Sequence, residues 1–205
     1  MTIPDTPQTS NELTGSTDDH LTEHRVASSQ VFSGNFLQIR RDNVRLPDGQ
    51  HAGREYIVHP GAVMVIALLD TGEVVLERQY RYPVGKIMVE FPAGKRDVGE
   101  PSLACAQREL EEETGYTAQE WALAGHLHPA IAYSTESIDM WFARGLNLGN
   151  RQLDAGEFLD VFTATPADLL AWCASGKVTD GKTLAGSLWL QNLLSGAWQV
   201  QWRAG

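Results

Sequence analysis

The sequence predicts a layered α/β (α+β) fold, with strands covered by helices that lie between and after them, and three stretches carry that expectation. Ala62 to Leu69 is a continuous apolar run rich in Val and Ile, the pattern of a strand buried on both faces. Residues 101 to 114 read as one amphipathic helix, with Leu103, Ala106 and Leu110 forming an apolar stripe. Further strand patterns follow that helix, and two more helices close the chain.

Taken in order, the polar stretch Met1 to His20 lacks an apolar h-region, so it does not read as a signal peptide. Being poor in large apolar residues, residues 1–29 are expected to form a disordered tail. Phe36 to Leu46 and Arg54 to His59 flank the turn chemistry of Pro47-Asp48-Gly49, which predicts a β-hairpin and marks 30–60 as an extension ahead of a main domain, 61–205. Asp70-Thr71-Gly72 turns the chain into a returning strand, Glu73 to Tyr80. Ile87 to Phe91 is a short strand ended by Pro92-Ala93-Gly94. Pro101 suits the first helical position, and Gly115 suits the left-handed position after the last. Trp121 to Leu127, Ile138 to Ala143 and Phe158 to Ala164 read as strands. Thr165-Pro166-Ala167-Asp168 resembles a capping box opening a helix that ends near Gly176. A last helix runs from about Thr183 to Leu194.

Composition excludes several classes of function. A formal net charge of −10 disfavours nucleic acid and anionic membranes as partners, because both demand clustered Lys and Arg. A phosphate-bearing substrate stays open, since a divalent cation reverses the local sign. No apolar run has the roughly 18 or more residues of a membrane span. Cys105 and Cys173 both fall in expected helices and read as buried thiols rather than a disulfide framework, which favours a reducing compartment, the cytoplasm.

The chemistry concentrates on the helix. Glu109, Glu112 and Glu113 lie at i, i+3 and i+4, which places three carboxylates on one face, while Glu111 points elsewhere. The bland alternative is a solvated acidic face. Against it stands their position in the last turn, where the helix dipole disfavours negative charge. A hard divalent cation such as Mg²⁺, bound through a few carboxylate oxygens plus waters and phosphates, would offset that cost. Arg108 can pair with Glu112 at i+4 or with Glu100 across the preceding loop.

Read together, Gly94, Glu100, Arg108, Glu109, Leu110, Glu112, Glu113, Gly115 and Tyr116 match the Nudix box at every position. The chain therefore resembles the Nudix hydrolases. That resemblance implies an α/β/α sandwich around a mixed β-sheet and hydrolysis of a nucleoside diphosphate linked to another group. It implies that Glu109, Glu112, Glu113 and the carbonyl of Ala93 hold Mg²⁺ or Mn²⁺, about two or three ions. Arg108 and Glu100 would orient the carboxylates.

The flanking stretches Arg78-Gln79-Tyr80-Arg81-Tyr82-Pro83 and Glu90-Phe91-Pro92-Ala93-Gly94 are similar to the ADP-ribose pyrophosphatase branch, as is the hairpin ahead of the domain. In that branch the N-terminal strands pair across a homodimer. Carried over, Arg81 would contact the diphosphate and Glu90 the adenine edge. Arg54 would reach in from the second subunit, or else be an ordinary strand-surface charge. Glu157 would be a base or additional metal ligand, with a solvated loop residue as the alternative. Ser134 and Glu136 resemble the element that contacts the terminal ribose. Here the chain departs from the pattern, with Pro129 placed early and Ala132 where glycine is expected. The expected reaction is cleavage of ADP-ribose to AMP and ribose 5-phosphate. The rival substrates are GDP-mannose, other nucleotide sugars and dinucleotides. A catalytically silent ADP-ribose-sensing module is disfavoured by the intact box.

Overall fold

The computed structural model describes residues 18–205, which fall into two compact units, one ending at Val58 and the other beginning at His59. The expected disordered tail divides accordingly. Residues 1–17 lie outside the described residues, whereas His24 to Ser29 belong to a strand and correct the expected boundary at residue 30. The first unit is a three-stranded antiparallel meander rather than a lone hairpin: β1 (His24–Ser33), β2 (Gln38–Arg45) and β3 (His51–Val58). The β2–β3 turn forms as its residues require. Gly49 takes φ 86°, the Gly49 N–H donates to the Leu46 carbonyl (2.9 Å), and Asp48 Oδ1 accepts from the Gln50 N–H (2.9 Å). All ten residues of β1 are exposed.

The second unit has the α/β/α layering. Its five-stranded sheet has the order β11 (Arg203–Ala204), β8 (Tyr116–Leu127), β9 (Ile138–Leu148), β4 (Ala62–Ala67), β7 (Ala93–Lys95). Strands β4 and β9 run parallel and the other neighbours antiparallel, so the sheet is mixed. A second sheet has the order β10 (Leu159–Ala164), β5 (Val74–Arg81), β6 (Lys86–Glu90). The apolar run of β4 is explained by two-sided burial. Val63, Val65 and Ala67 pack with Cys105, Ala106 and Leu110 of helix α1 (Ser102–Thr114), while Met64 and Ile66 pack toward Leu169 of α2 (Pro166–Ala174) and Leu190 of α3 (Gly181–Leu194). Burying a side chain such as Leu110, which is wholly inaccessible, contributes about 1.5–3 kcal/mol.

Three local expectations are corrected. Strands β4 and β5 do not form a hairpin ladder: they share one bridge, Leu68 with Val74, and then enter different sheets, because both edges of β4 are taken by β7 and β9. Ala93 to Lys95 is not merely the end of β6 but a short strand on β4, and the Pro92 carbonyl accepts from the Val65 N–H at 2.8 Å. Pro101 is the N-cap residue in an extended conformation, φ −63° and ψ 141°, with the helix starting at Ser102. Gly115 behaves as expected, with φ 77° and its N–H on the Glu111 carbonyl. No helix among the described residues is long and apolar enough to cross a membrane.

Candidate functional site

Helix α1 and strand β7 build the site together. The stripe of Cys105, Ala106 and Leu110 fixes the rotation of α1 on the sheet, which brings Glu109 to Gly94 and Glu113 to the Ala93 N–H of β7. Strand β7 passes close enough that a β-carbon at Gly94 would fall on the Glu109 carboxylate. Only glycine leaves that cradle open.

Arg108 gathers the acidic groups. Its Nε and Nη2 donate to the two oxygens of Glu100 (2.9 and 3.0 Å), and Nη1 donates to Glu109 (2.8 Å) and Glu112 (2.9 Å). The guanidinium beside Glu100 holds that carboxyl well down, at about 2. Burial pushes the Glu109 carboxyl up to about 7, and the nearby guanidinium only partly opposes it. Glu113 is 4% exposed and accepts the Ala93 N–H at 3.0 Å. Burial pushes its carboxyl strongly upward, and the charges of Glu77, Glu109 and Glu157 add to that. The loop carrying Glu157 is anchored to the helix end, where the Gln152 N–H donates to the Glu112 carbonyl (3.0 Å). Glu157 also lines an open cavity of about 330 Å³ with Arg78, Tyr80, Arg151 and Phe158.

These donors suit a hard cation. All are carboxylate oxygens, burial and neighbouring carboxylates make two of the groups resist ionisation, and Gly94 leaves room beside Glu109. Among the described residues, no three His, Cys, Asp or Glu side chains form a ready-made cage. Glu109 and Glu112 are instead turned onto Arg108, the nearest positive charge.

Other expected residues lie in different surroundings. Arg81 on β5 and Glu90 on β6 form a bidentate pair (2.7 and 2.8 Å). The Glu90 side chain, expected to hold an adenine edge, is 2% exposed, and its oxygens are engaged by two cations, Arg81 and Lys182. Burial opposes the charge on Glu90, but Arg81 and Lys182 outweigh burial and hold its carboxyl below the usual range. Ser134 and Glu136 belong to a turn before β9, where Ser134 Oγ accepts the Glu136 N–H and Glu136 lies 3.9 Å from His59. Arg54, in the first unit, pairs with Glu23 (Nε to Oε2, 2.9 Å).

Two features were missed in the sequence. Glu77 on β5 is wholly buried, and neither of its oxygens has a hydrogen-bond partner. Its signal was a carboxylate directly continuing the apolar run Val74-Val75-Leu76. The second is Asp180-Gly181-Lys182-Thr183. Asp180 caps α3 by accepting from the Thr183 N–H (2.9 Å) and also receives Lys182 (3.1 Å), while Thr183 Oγ1 accepts the Phe91 N–H (3.1 Å). An N-cap aspartate followed by a lysine inside an apolar helix start was the available clue.

The fold and this helix define a Nudix protein: a family model described as the NUDIX domain matches residues 58–185, and the chain belongs to that family. A second model, the nucleoside diphosphate sugar hydrolase N-terminal domain, matches residues 23–57. Among its relatives, the ADP-ribose pyrophosphatase of Bacillus subtilis (strain 168) is 37% identical over 83% of this chain and 94% of its own length. The methanol dehydrogenase activator of Bacillus methanolicus is 38% identical over 82% and 92% respectively. A solved structure titled as an ADP compounds hydrolase superposes with a TM-score of 0.77, covering 85% of this chain and 95% of that one at 20% identity, which speaks to the fold alone.

Proposed function

We propose that this Nudix hydrolase cleaves the diphosphate of ADP-ribose to AMP and ribose 5-phosphate. The observation that carries the reading is the convergence of the box: Glu109 over Gly94, Glu113 on the Ala93 N–H, and Arg108 joining Glu100, Glu109 and Glu112. Glu109, Glu112, Glu113 and the Ala93 carbonyl would hold Mg²⁺ or Mn²⁺, about two or three ions. A bound divalent cation supplies charge neutralisation on the diphosphate and a lowered pKa for the attacking water. Glu157, whose charge is felt by Glu109 and Glu113, or one of the helix glutamates would take the attacking water's proton as the P–O–P bridge opens. Arg81 grips the diphosphate, and Glu90 holds the Arg81 fork in register rather than touching a base. Ser134 and Glu136 meet the terminal ribose.

The chain works as a homodimer joined through its N-terminal sheet, with Arg54 supplied by a second copy. The fully exposed β1, which displays Val26, Val31 and Phe32, supports that arrangement. Two free cysteines agree with a cytoplasmic setting. A nucleotide sugar is the second reading, favoured by the match of residues 23–57 to the nucleoside diphosphate sugar hydrolase N-terminal domain.

The test is coupled phosphate release from ADP-ribose, GDP-mannose, NADH, diadenosine polyphosphates and dNTPs, each with Mg²⁺ and with EDTA. A marked preference for ADP-ribose that EDTA abolishes is the expected result. Preference for GDP-mannose would select the second reading, and turnover unaffected by EDTA would remove the metal from the mechanism.

A further inference from the structure

Glu77 occupies a position that the box does not explain. In β5, Val75 packs on the α1 side of the sheet, and Glu77, two residues on, shares that face. In register it stands opposite Glu90 across the β5–β6 ladder. Its carboxyl lies against that of Glu113 at the end of α1. Both Glu77 oxygens are buried, and neither has a hydrogen-bond donor among the described residues. The cations nearby do not fill the gap. Arg81 and Lys182 are both engaged by Glu90, and Lys182 additionally by Asp180. A buried carboxylate is kept when something positive pairs with it. Here the chain offers nothing further, while the neighbouring Glu113 is a carboxylate that the proposed function assigns to a divalent cation.

We propose that Glu77 is an additional carboxylate of the divalent-cation site, contributed by β5, which with Glu113 binds an ion on the buried flank of the Nudix helix. This rests on the metal reading of the box, and extends it from one helix to the second sheet. Carboxylate oxygens from two elements hold a cation more rigidly than one helix face can, because the strand does not fray with the helix end. The same ion would supply the missing partner for both Glu77 oxygens.

The test is Mn²⁺ binding to the full chain, freed of metal with EDTA and titrated by electron paramagnetic resonance, alongside the melting temperature with and without Mn²⁺. The variants are Glu77→Gln, Glu77→Leu, Glu113→Gln and, as a control on the exposed side of α1, Glu111→Gln. Glu77→Gln is expected to melt higher than wild type in EDTA, since an unpaired buried charge is gone. It is also expected to lose one bound Mn²⁺ or to bind it at least ten-fold more weakly. Glu77→Leu keeps the comparison available should the amide disturb the fold. Mn²⁺ binding lost in Glu113→Gln but unchanged in both Glu77 variants would overturn this inference and leave the box reading standing. A wild-type chain that binds no Mn²⁺ would overturn both.

Discussion

At the scale of single residues, the site depends on what is absent as much as on what is present. Gly94 carries no β-carbon, and the Glu109 carboxylate occupies that space. Gly94→Ala is therefore expected to displace Glu109 and weaken Mg²⁺-dependent turnover by about 10–100-fold, the usual cost of disturbing the support of a metal ligand. Steady-state kinetics at increasing Mg²⁺ would show it, and unchanged activation would refute the cradle. Glu113→Gln removes charge but little volume. Turnover should fall by orders of magnitude while circular dichroism keeps its wild-type form, and near-wild-type turnover at saturating Mg²⁺ would count decisively against the assignment. Arg108 differs in kind, because its fork binds Glu100, Glu109 and Glu112 at once and lysine cannot reproduce that geometry.

At the scale of elements, α1 carries its charges where its own dipole opposes them, and its stability should report this through pH. The Glu109 carboxyl, raised to about 7, contributes stability that is full below its unfolded value and lost as pH rises through about 7. Glu100, held at about 2, contributes in the opposite sense: its stability is present above the unfolded value and lost as pH falls through about 2. The metal-free chain should thus melt highest in mildly acidic buffer and lower toward pH 8. Mg²⁺ added at pH 8 should restore the loss by binding only the folded form. A melting temperature in EDTA that rises steadily toward pH 8 would contradict this. Helix α3 offers a second test. Asp180 caps it and also holds Lys182, so Asp180→Ala is expected to cost about 1–2 kcal/mol, a drop of a few degrees by calorimetry.

At the scale of the whole molecule, the chain is two compact units of different make. The second unit contains the layered core and the box, and the first is a thin sheet whose interior among the described residues amounts to Val44 and Asp42. A sheet of three strands with an exposed first strand buries little by itself, which is the physical ground for expecting a second copy to cover it. Light scattering at micromolar concentration should give twice the chain mass. A monomer would remove the homodimer, and with it the proposed reach of Arg54 into a neighbouring site.

The sequence by itself determined that a helix runs through residues 101–114, observed from Ser102, with a left-handed stop at Gly115, that a buried strand lies within Ala62 to Leu69, observed as Ala62–Ala67, and which carboxylates make up the box. These are written in local periodicity and in residues whose backbone preferences act within a few positions, so no distant partner is needed to read them. Only the tertiary structure decided which strands pair. It sent β4 and β5 into different sheets, made a strand of Ala93 to Lys95, and turned Glu90 inward onto Arg81 and Lys182. Lys182 lies 92 positions from Glu90, and no local pattern specifies a contact at that separation. Glu77 shows the same limit: an isolated glutamate in a strand is ordinary in sequence, and it becomes conspicuous only once packing has taken away both water and donors.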